Sequence, residues 1–261
     1  MQTQPVQIGN TLVGGAHFTV VAGPCAIESR EQLLAIAGGV KRHGASALRG
    51  GVFKIRTDPR SFQGLGTDAL PFLDEARRVT GLPFIVEITA HDQIDSLADH
   101  VDAFQVGSRN MHNSYLLKEL GRTRKPILLK RGFAAHLKEW LLAADYIVSG
   151  GNQAVILCER GIRTFEGELR NTLDLAGAVW ARRHAPYPVL VDPSHGTGCP
   201  ELVPAMCLAT AAAGLDGLLI EVHVNPPQAL SDGYQALTLD QFANVTAALN
   251  PVLRAVGRTL D

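Results

Sequence analysis

Short runs of Val, Ile and Leu recur along the chain, each followed by a longer stretch in which apolar residues return every three or four positions. The runs fall at residues 18–22, 47–53, 83–88, 103–106, 126–130, 154–158, 188–192 and 217–221. Most are continuously apolar, the pattern of parallel strands covered on both faces. Between them, residues 136–149 align Leu137, Trp140, Leu141, Ala144 and Ile147 on one helical face. Residues 239–252 do the same with Leu239, Phe242, Val245, Leu249 and Val252. Eight strand–helix alternations predict an α/β fold closed into a (β/α)8 barrel. An open doubly wound sheet is the alternative, but no G-x-G-x-x-G opens a helix after the first strand. Ahead of that strand, "VQIGNTLVGGAHF" reads as a β-hairpin turning at Gly9-Asn10. This N-terminal hairpin, residues 1–17, is expected to cover the bottom of the barrel. With no linker, repeat or low-complexity tract, residues 1–261 are expected to form one domain.

Composition narrows the reading without changing it. The chain has 261 residues, 46% of them hydrophobic, and a formal net charge of −1. A single barrel of this kind takes ~250 residues. The balance of charge offers no broad basic surface to nucleic acid and none to an acidic membrane. Residues 1–15 lack the basic start and apolar block of a signal peptide. No apolar run approaches the ~18 residues of a membrane span. Cys25, Cys158, Cys199 and Cys207 form no C-x-x-C pair, which fits a reducing cytoplasm.

In a barrel, chemistry gathers where strands end, on the face built by the strand-to-helix loops. Strand one ends at Cys25, in "VAGPCAIES". Strand two carries Arg49 and leads into Lys54, Arg56 and Thr57. Strand four gives Ser108 and Arg109, and strand five gives Lys130 and Arg131. Strand six gives Arg160 and Arg163, and strand seven His195. Strand eight gives Glu221 and His223, followed by Asp232 in "LSDGYQ".

Two sets separate by chemistry. Arg49, Lys54, Arg56, Arg109, Lys130 and Arg160 place many positive groups at one mouth of a nearly neutral protein. Any one of them alone reads as a solvated rim charge. Together they repel one another unless a ligand neutralises them, so an anionic substrate bearing phosphate or carboxylate groups is expected. Cys25, His195, Glu221 and Asp232 form the second set, a mixed donor group suited to Mn, Fe, Co or Zn. Taken singly, Cys25 reads as a small buried residue and His195 as structural or functional alike. Strands one and eight are neighbours in a closed barrel, so all four can meet.

The motifs "VAGPCAIES", "FKIRTDPRSFQGLG", "QVGSRNMHN", "ILLKRG", "WLLAADYI", "VILCERGIRTFE", "VDPSHGTG", "IEVHVNP" and "ALSDGYQ" stand in one order along the chain. In that order they resemble the type I 3-deoxy-D-arabino-heptulosonate 7-phosphate (DAHP) synthases, the subgroup that includes 3-deoxy-D-manno-octulosonate 8-phosphate synthases. The resemblance runs from Val6 to Leu249. It implies a TIM barrel that condenses phosphoenolpyruvate (PEP) with erythrose 4-phosphate and releases phosphate, as the first step of the shikimate pathway. It implies that Cys25, His195, Glu221 and Asp232 hold a divalent metal. Arg49, Ser108, Arg109, Lys130 and Arg160 would hold PEP, with Lys54 between the two substrates and Arg163 close to the Arg160 position. Arg56 and Thr57 would grip the aldose phosphate, and Lys54, Cys25 and His195 are the candidate catalytic residues. The resemblance also implies a catalytic barrel without a regulatory domain, assembled as a homotetramer or homodimer.

The sequence departs from the subgroup on the aldehyde side. The usual Lys-Pro-Arg-Thr is Lys54-Ile55-Arg56-Thr57, and the Ser-Pro that follows is Asp58-Pro59-Arg60. After His195 the usual Ala-Thr-Gly-Arg-Arg is Gly196-Thr197-Gly198-Cys199-Pro200. Isoleucine frees a loop that proline would stiffen. Asp58 repels a phosphate unless a cation such as Arg60 pairs with it. These departures leave two other readings open: a paralogue that condenses PEP with a different aldose, and a non-catalytic sugar-phosphate sensor. The intact four-donor set argues against the sensor. Residues 54–59 do not carry the Lys-Ala-Asn-Arg-Ser-Ser signature of the octulosonate branch.

Overall fold

The computed structural model describes residues 3–260; residues 1, 2 and 261 of the expected single unit lie outside the described residues. A two-stranded antiparallel hairpin comes first, β1 (Val6–Ile8) and β2 (Thr11–Val13), turning at Gly9-Asn10. Eight parallel strands follow: β3 (His17–Gly23), β4 (Ala47–Gly50), β5 (Phe84–Ile88), β6 (Ala103–Val106), β7 (Ile127–Lys130), β8 (Val155–Glu159), β9 (Val189–Val191) and β10 (Gly217–Glu221). Each pairs with the next, and β10 pairs with β3 from Gly217↔Thr19 to Glu221↔Gly23. That last seam closes the barrel and removes the open-sheet alternative. It also brings the first and last strand ends side by side.

Helices fill the outer ring: α1 (Arg30–Arg42), α2 (Leu70–Thr80), α3 (Ile94–Ala98), α4 (Ser114–Gly121), α5 (Leu137–Ser149) and α6 (Leu175–His184). A short α7 (Pro193–Thr197) precedes α8 (Val203–Ala212), and α9 (Leu239–Ala255) leads to β11 (Thr259–Leu260), which adds to β3 outside the barrel. Helix α9 starts on a capping box, with Thr238 Oγ1 accepting from the Gln241 amide, and runs three residues past the expected end, through Pro251. The β4 strand stops at Gly50, short of the expected residue 53. The chain then turns back on itself, with the Lys54 amide bonded to the Gln63 carbonyl. That loop presents residues 54–57 to the barrel mouth.

Two apolar layers result. Phe18, Val20 and Ala22 of β3 face outward onto the helices, where they join Ile36, Phe84, Trp140 and Phe242 in the larger core. Val21 faces inward with Ala47, Ile85, Ala103, Leu128, Ile156, Leu190 and Leu219. Val6, Ile8 and Val13 of the hairpin complete this inner cluster, so the hairpin closes the barrel from below. Because both faces of each strand are buried, the strands read as continuous apolar runs.

Candidate active site

At the opposite end, polar side chains replace the apolar filling. Cys25 follows β3, Arg49 lies in β4, Lys130 ends β7, Arg160 follows β8 and Glu221 ends β10. His195 sits in α7, whose cap, Asp192, accepts from the His195 amide at 2.9 Å. Asp232 lies in the loop after β10 at φ 52°, the only positive-φ residue other than glycine among the described residues. Close backbone approach helps: a Cβ at Gly23 would lie 2.1 Å from the Arg49 carbonyl oxygen, so only glycine lets β3 meet β4 here.

One ligand atom from each of Cys25, His195, Glu221 and Asp232 lies within 4.8 Å of the others. Cys25 Sγ is 3.1 Å from Ser231 Oγ and 3.7 Å from Asp232 Oδ2. His195 Nε2 is 3.3 Å from Glu221 Oε1 and 3.7 Å from Asp232 Oδ2, while its Nδ1 lies 2.7 Å from Asp192 Oδ2. Burial, with Glu221 and Asp232 nearby, pushes the Cys25 thiol up to about 11. Burial also lowers His195, against the pull of Asp192 and Glu221. Burial alone would raise Asp232, but His195 and Arg170 hold it down at about 2. A sulfur, an imidazole nitrogen and two carboxylates at this spacing fit a divalent transition cation, which would draw the proton off the thiol. The Asp192 carboxylate lies against the far side of the imidazole and also accepts from Lys130.

Beside these donors lies a cavity of about 320 Å³, lined by Arg49, Lys54, Arg56, Thr57, Ser108, Arg109, Lys130, Arg160 and His195 among others. All the cations expected at the mouth therefore meet in one space. Several have built-in anchors. Arg49 donates to Glu221 at 2.8 Å, Lys54 to Glu87 at 3.1 Å and Lys130 to Asp192 at 2.6 Å. Arg160 differs. It is 2% exposed, its Nη1 has no hydrogen-bond partner among the described residues, and burial presses its guanidinium down to about 10. A buried, unpaired guanidinium is costly unless an anion meets it. Arg109, Arg160 and Arg163 all stack on the Phe133 ring, at 5.6, 4.7 and 4.9 Å from its centroid. Arg131, next to Lys130, points the other way into Glu159 and Asp174.

Sequence reasoning missed several residues here. Glu87, Phe133, Arg170, Asp192, Ser231 and Gln235 all touch the site, yet each reads along the chain as an ordinary strand, loop or surface position. The one available signal was Asp192 in "VDPSHG", where an acid three residues before the candidate histidine marks a cap.

The sequence model of the DAHP synthetase I family matches residues 2–255. The chain belongs to that family. It is 42% identical over 252 residues, 97% of this chain and 75% of the other, to phospho-2-dehydro-3-deoxyheptonate aldolase of Thermotoga maritima. The crystal structure of that organism's phospho-2-dehydro-3-deoxyheptonate aldolase (DAHP synthase) superposes with a TM-score of 0.96 at 41% identity, covering all of this chain and 76% of that one. It is also 31% identical to 2-dehydro-3-deoxyphosphooctonate aldolase of Syntrophotalea carbinolica, over 90% of this chain and 91% of the other.

As a DAHP synthetase I family member, the chain places two of its departures at the cavity, whereas Cys199 and Pro200 do not line it. Ile55 and Asp58 line the same cavity as Arg56. Asp58 is paired: its two oxygens accept from Arg60 Nε and Nη2 at 3.0 Å each, and that pair holds the carboxyl below its ordinary range. Arg60 thus offsets the repulsion that Asp58 would exert on an incoming phosphate. No helix among the described residues is long and apolar enough to cross a membrane.

Proposed function

We propose that the protein is a metal-dependent 3-deoxy-7-phosphoheptulonate synthase that condenses PEP with erythrose 4-phosphate and water to give DAHP and phosphate, the first step of the shikimate pathway. The observation that carries the reading is the adjacency of two sets in one 320 Å³ cavity mouth: a cluster of cations, with Arg49, Lys130 and an unpaired Arg160 buried, and a sulfur–imidazole–carboxylate cluster beside it. Family membership supports the reaction type.

In this reading Arg109, Arg160 and Lys130 take the phosphate and carboxylate of PEP, with Arg49 and Ser108 at the same end. Arg160 gains the anion that its buried guanidinium lacks. Lys54, braced by Glu87, lies between the two substrates, and Arg56 and Thr57 hold the phosphate of the aldose. A divalent cation (Mn, Fe, Co or Zn) held by Cys25, His195, Glu221 and Asp232 would supply Lewis-acid polarisation of the aldehyde carbonyl. C3 of PEP attacks the aldehyde carbon, forming the carbon–carbon bond, and positive charge grows on the phosphate-bearing C2. Water adds at C2, and the resulting hemiketal phosphate releases inorganic phosphate. The fixed cations are already oriented before reaction, so little reorganisation remains at the transition state.

The same reading takes residues 1–261 as one catalytic barrel acting as a homotetramer or homodimer on small-molecule substrates, in a cytoplasmic setting. Four free cysteines support a reducing compartment. Incubation with Mn²⁺, PEP and erythrose 4-phosphate tests the proposal. It requires phosphate release that depends on both substrates and stops with a chelator. A second reading, a paralogue using another aldose, draws on Ile55 and the Asp58–Arg60 pair in the aldehyde part of the cavity. Phosphate release with a different aldose and none with erythrose 4-phosphate would establish it.

A further inference from the structure

Arg170 stands in the loop between β8 and α6, in sequence far from all four donors. Its Nη1 donates to Asp232 Oδ2 at 3.3 Å and to Gln235 Oε1 at 2.5 Å. Gln235, fully buried, passes the connection on: its Nε2 donates to Glu221 Oε2 at 2.6 Å. This amide orientation is the only one that serves both neighbours, because guanidinium offers no acceptor and an ionised carboxylate no donor. One guanidinium therefore braces both carboxylates of the donor cluster, one directly and one through an amide. The Glu221 oxygen left over, Oε1, accepts from Arg49 and faces His195.

The residue is fixed by its backbone and its neighbours. The Arg170 amide donates to the Thr197 carbonyl at 3.0 Å. Gly198, at φ +70°, leaves space for it, since a Cβ there would lie 2.5 Å from Arg170 Cβ. The Tyr234 ring lies 5.8 Å from the guanidinium carbon. Asp232 occupies left-handed backbone, a conformation that persists in residues other than glycine when their surroundings fix it, and Arg170 is one of those surroundings.

We propose that Arg170 is a positioning residue: it clamps Asp232 and, through Gln235, Glu221 in the geometry that receives a divalent cation. The proposal rests on the metal reading given above. A planar fork that spans two acceptors suits the task, whereas a lysine ammonium is a point charge on a flexible stem.

The test uses the full chain stripped of metal, as wild type, Arg170→Ala and Arg170→Lys. Mn²⁺ affinity is measured by calorimetry, and the Co²⁺ absorption spectrum reports the ligand geometry directly. Loss of an outer partner of a ligand weakens metal binding about 10–100-fold. Arg170→Ala is expected to lose that much for Mn²⁺ and to change the Co²⁺ spectrum, with Arg170→Lys intermediate. Mn²⁺ affinity within twofold of wild type and an unchanged Co²⁺ spectrum in Arg170→Ala would overturn the clamp while leaving the metal reading intact. Should Arg170→Ala fail to fold, Arg170→Lys decides: a several-fold loss supports the clamp and wild-type affinity overturns it. If wild type binds neither ion, the metal reading fails and the clamp with it.

Discussion

Arg49 Nη1 donates to Glu221 Oε1 at 2.8 Å, both side chains almost wholly buried, so one hydrogen bond joins the cation cluster to the donor cluster. The two sets are thus a single electrostatic unit. Burial alone would raise Glu221, and His195 with Arg49 outweighs it, holding the carboxylate ionised. Removing the guanidinium strands a buried negative charge.

For that reason Arg49→Ala is expected to cost about 3–5 kcal/mol of folding stability, the usual penalty for breaking a buried pair. Urea unfolding followed by circular dichroism measures it. A loss below about 1 kcal/mol would mean that water reaches Glu221 and replaces the pair.

Cys25→Ala is expected to abolish metal-dependent phosphate release and leave the barrel folded, because it removes one small side chain from the mouth and none from either apolar core. Comparison of turnover and far-ultraviolet circular dichroism in wild type and variant, each with and without chelator, checks this. Near-normal turnover in the variant would exclude Cys25 from the site.

Arg56 donates to Ser231 Oγ at 2.5 Å and to no acid among the described residues, which leaves its charge for a ligand. Arg56→Ala is expected to raise KM for erythrose 4-phosphate about 10–150-fold, the range for a lost charged hydrogen bond of about 1.5–3 kcal/mol. KM for PEP should move much less. Equal increases for both substrates would contradict separate pockets.

Phe133 supports three guanidinium groups at once. Phe133→Ala is expected to raise KM for PEP about 5–30-fold, from the loss of stacking worth about 0.5–1 kcal/mol at each of the two cations assigned to PEP, Arg109 and Arg160. Mn²⁺ affinity should stay within twofold of wild type. Steady-state kinetics and metal titration separate the two effects.

Tyr187 Oη donates to Asp145 at 3.3 Å, and burial, with Asp145 adding to it, pushes the phenol from 10.0 up to about 12. The folded state keeps its proton longer than the unfolded one. Its contribution is therefore complete below the unfolded value of 10.0 and is lost as pH rises through about 12. Tyr187→Phe should flatten the alkaline fall in the unfolding midpoint across that window and leave the midpoint's slope near pH 7 unchanged. An identical alkaline slope in both proteins would remove Tyr187 as the cause.

Much of this architecture is written along the chain, for a physical reason. Strands buried on both faces must be continuously apolar, so eight such runs mark eight barrel strands before any contact is known. The identities of Cys25, Arg49, Lys130, His195 and Glu221 at strand ends were legible in the same way, because a barrel puts its chemistry there. Other features are properties of contact alone. Lys130 and Arg131 are adjacent cations in sequence, and only the pleat sends one to the cavity and the other to Glu159. Arg170 reads as one more loop charge until closure of β10 on β3 gathers Asp232, Gln235 and Glu221 around it. The sequence by itself determined the alternation of elements and the inventory of reactive groups, because both follow from local periodicity and residue chemistry. The tertiary structure alone decided which groups share a cavity, which cation is left unpaired and which protons are held, because these depend on distances between distant segments and on burial from water.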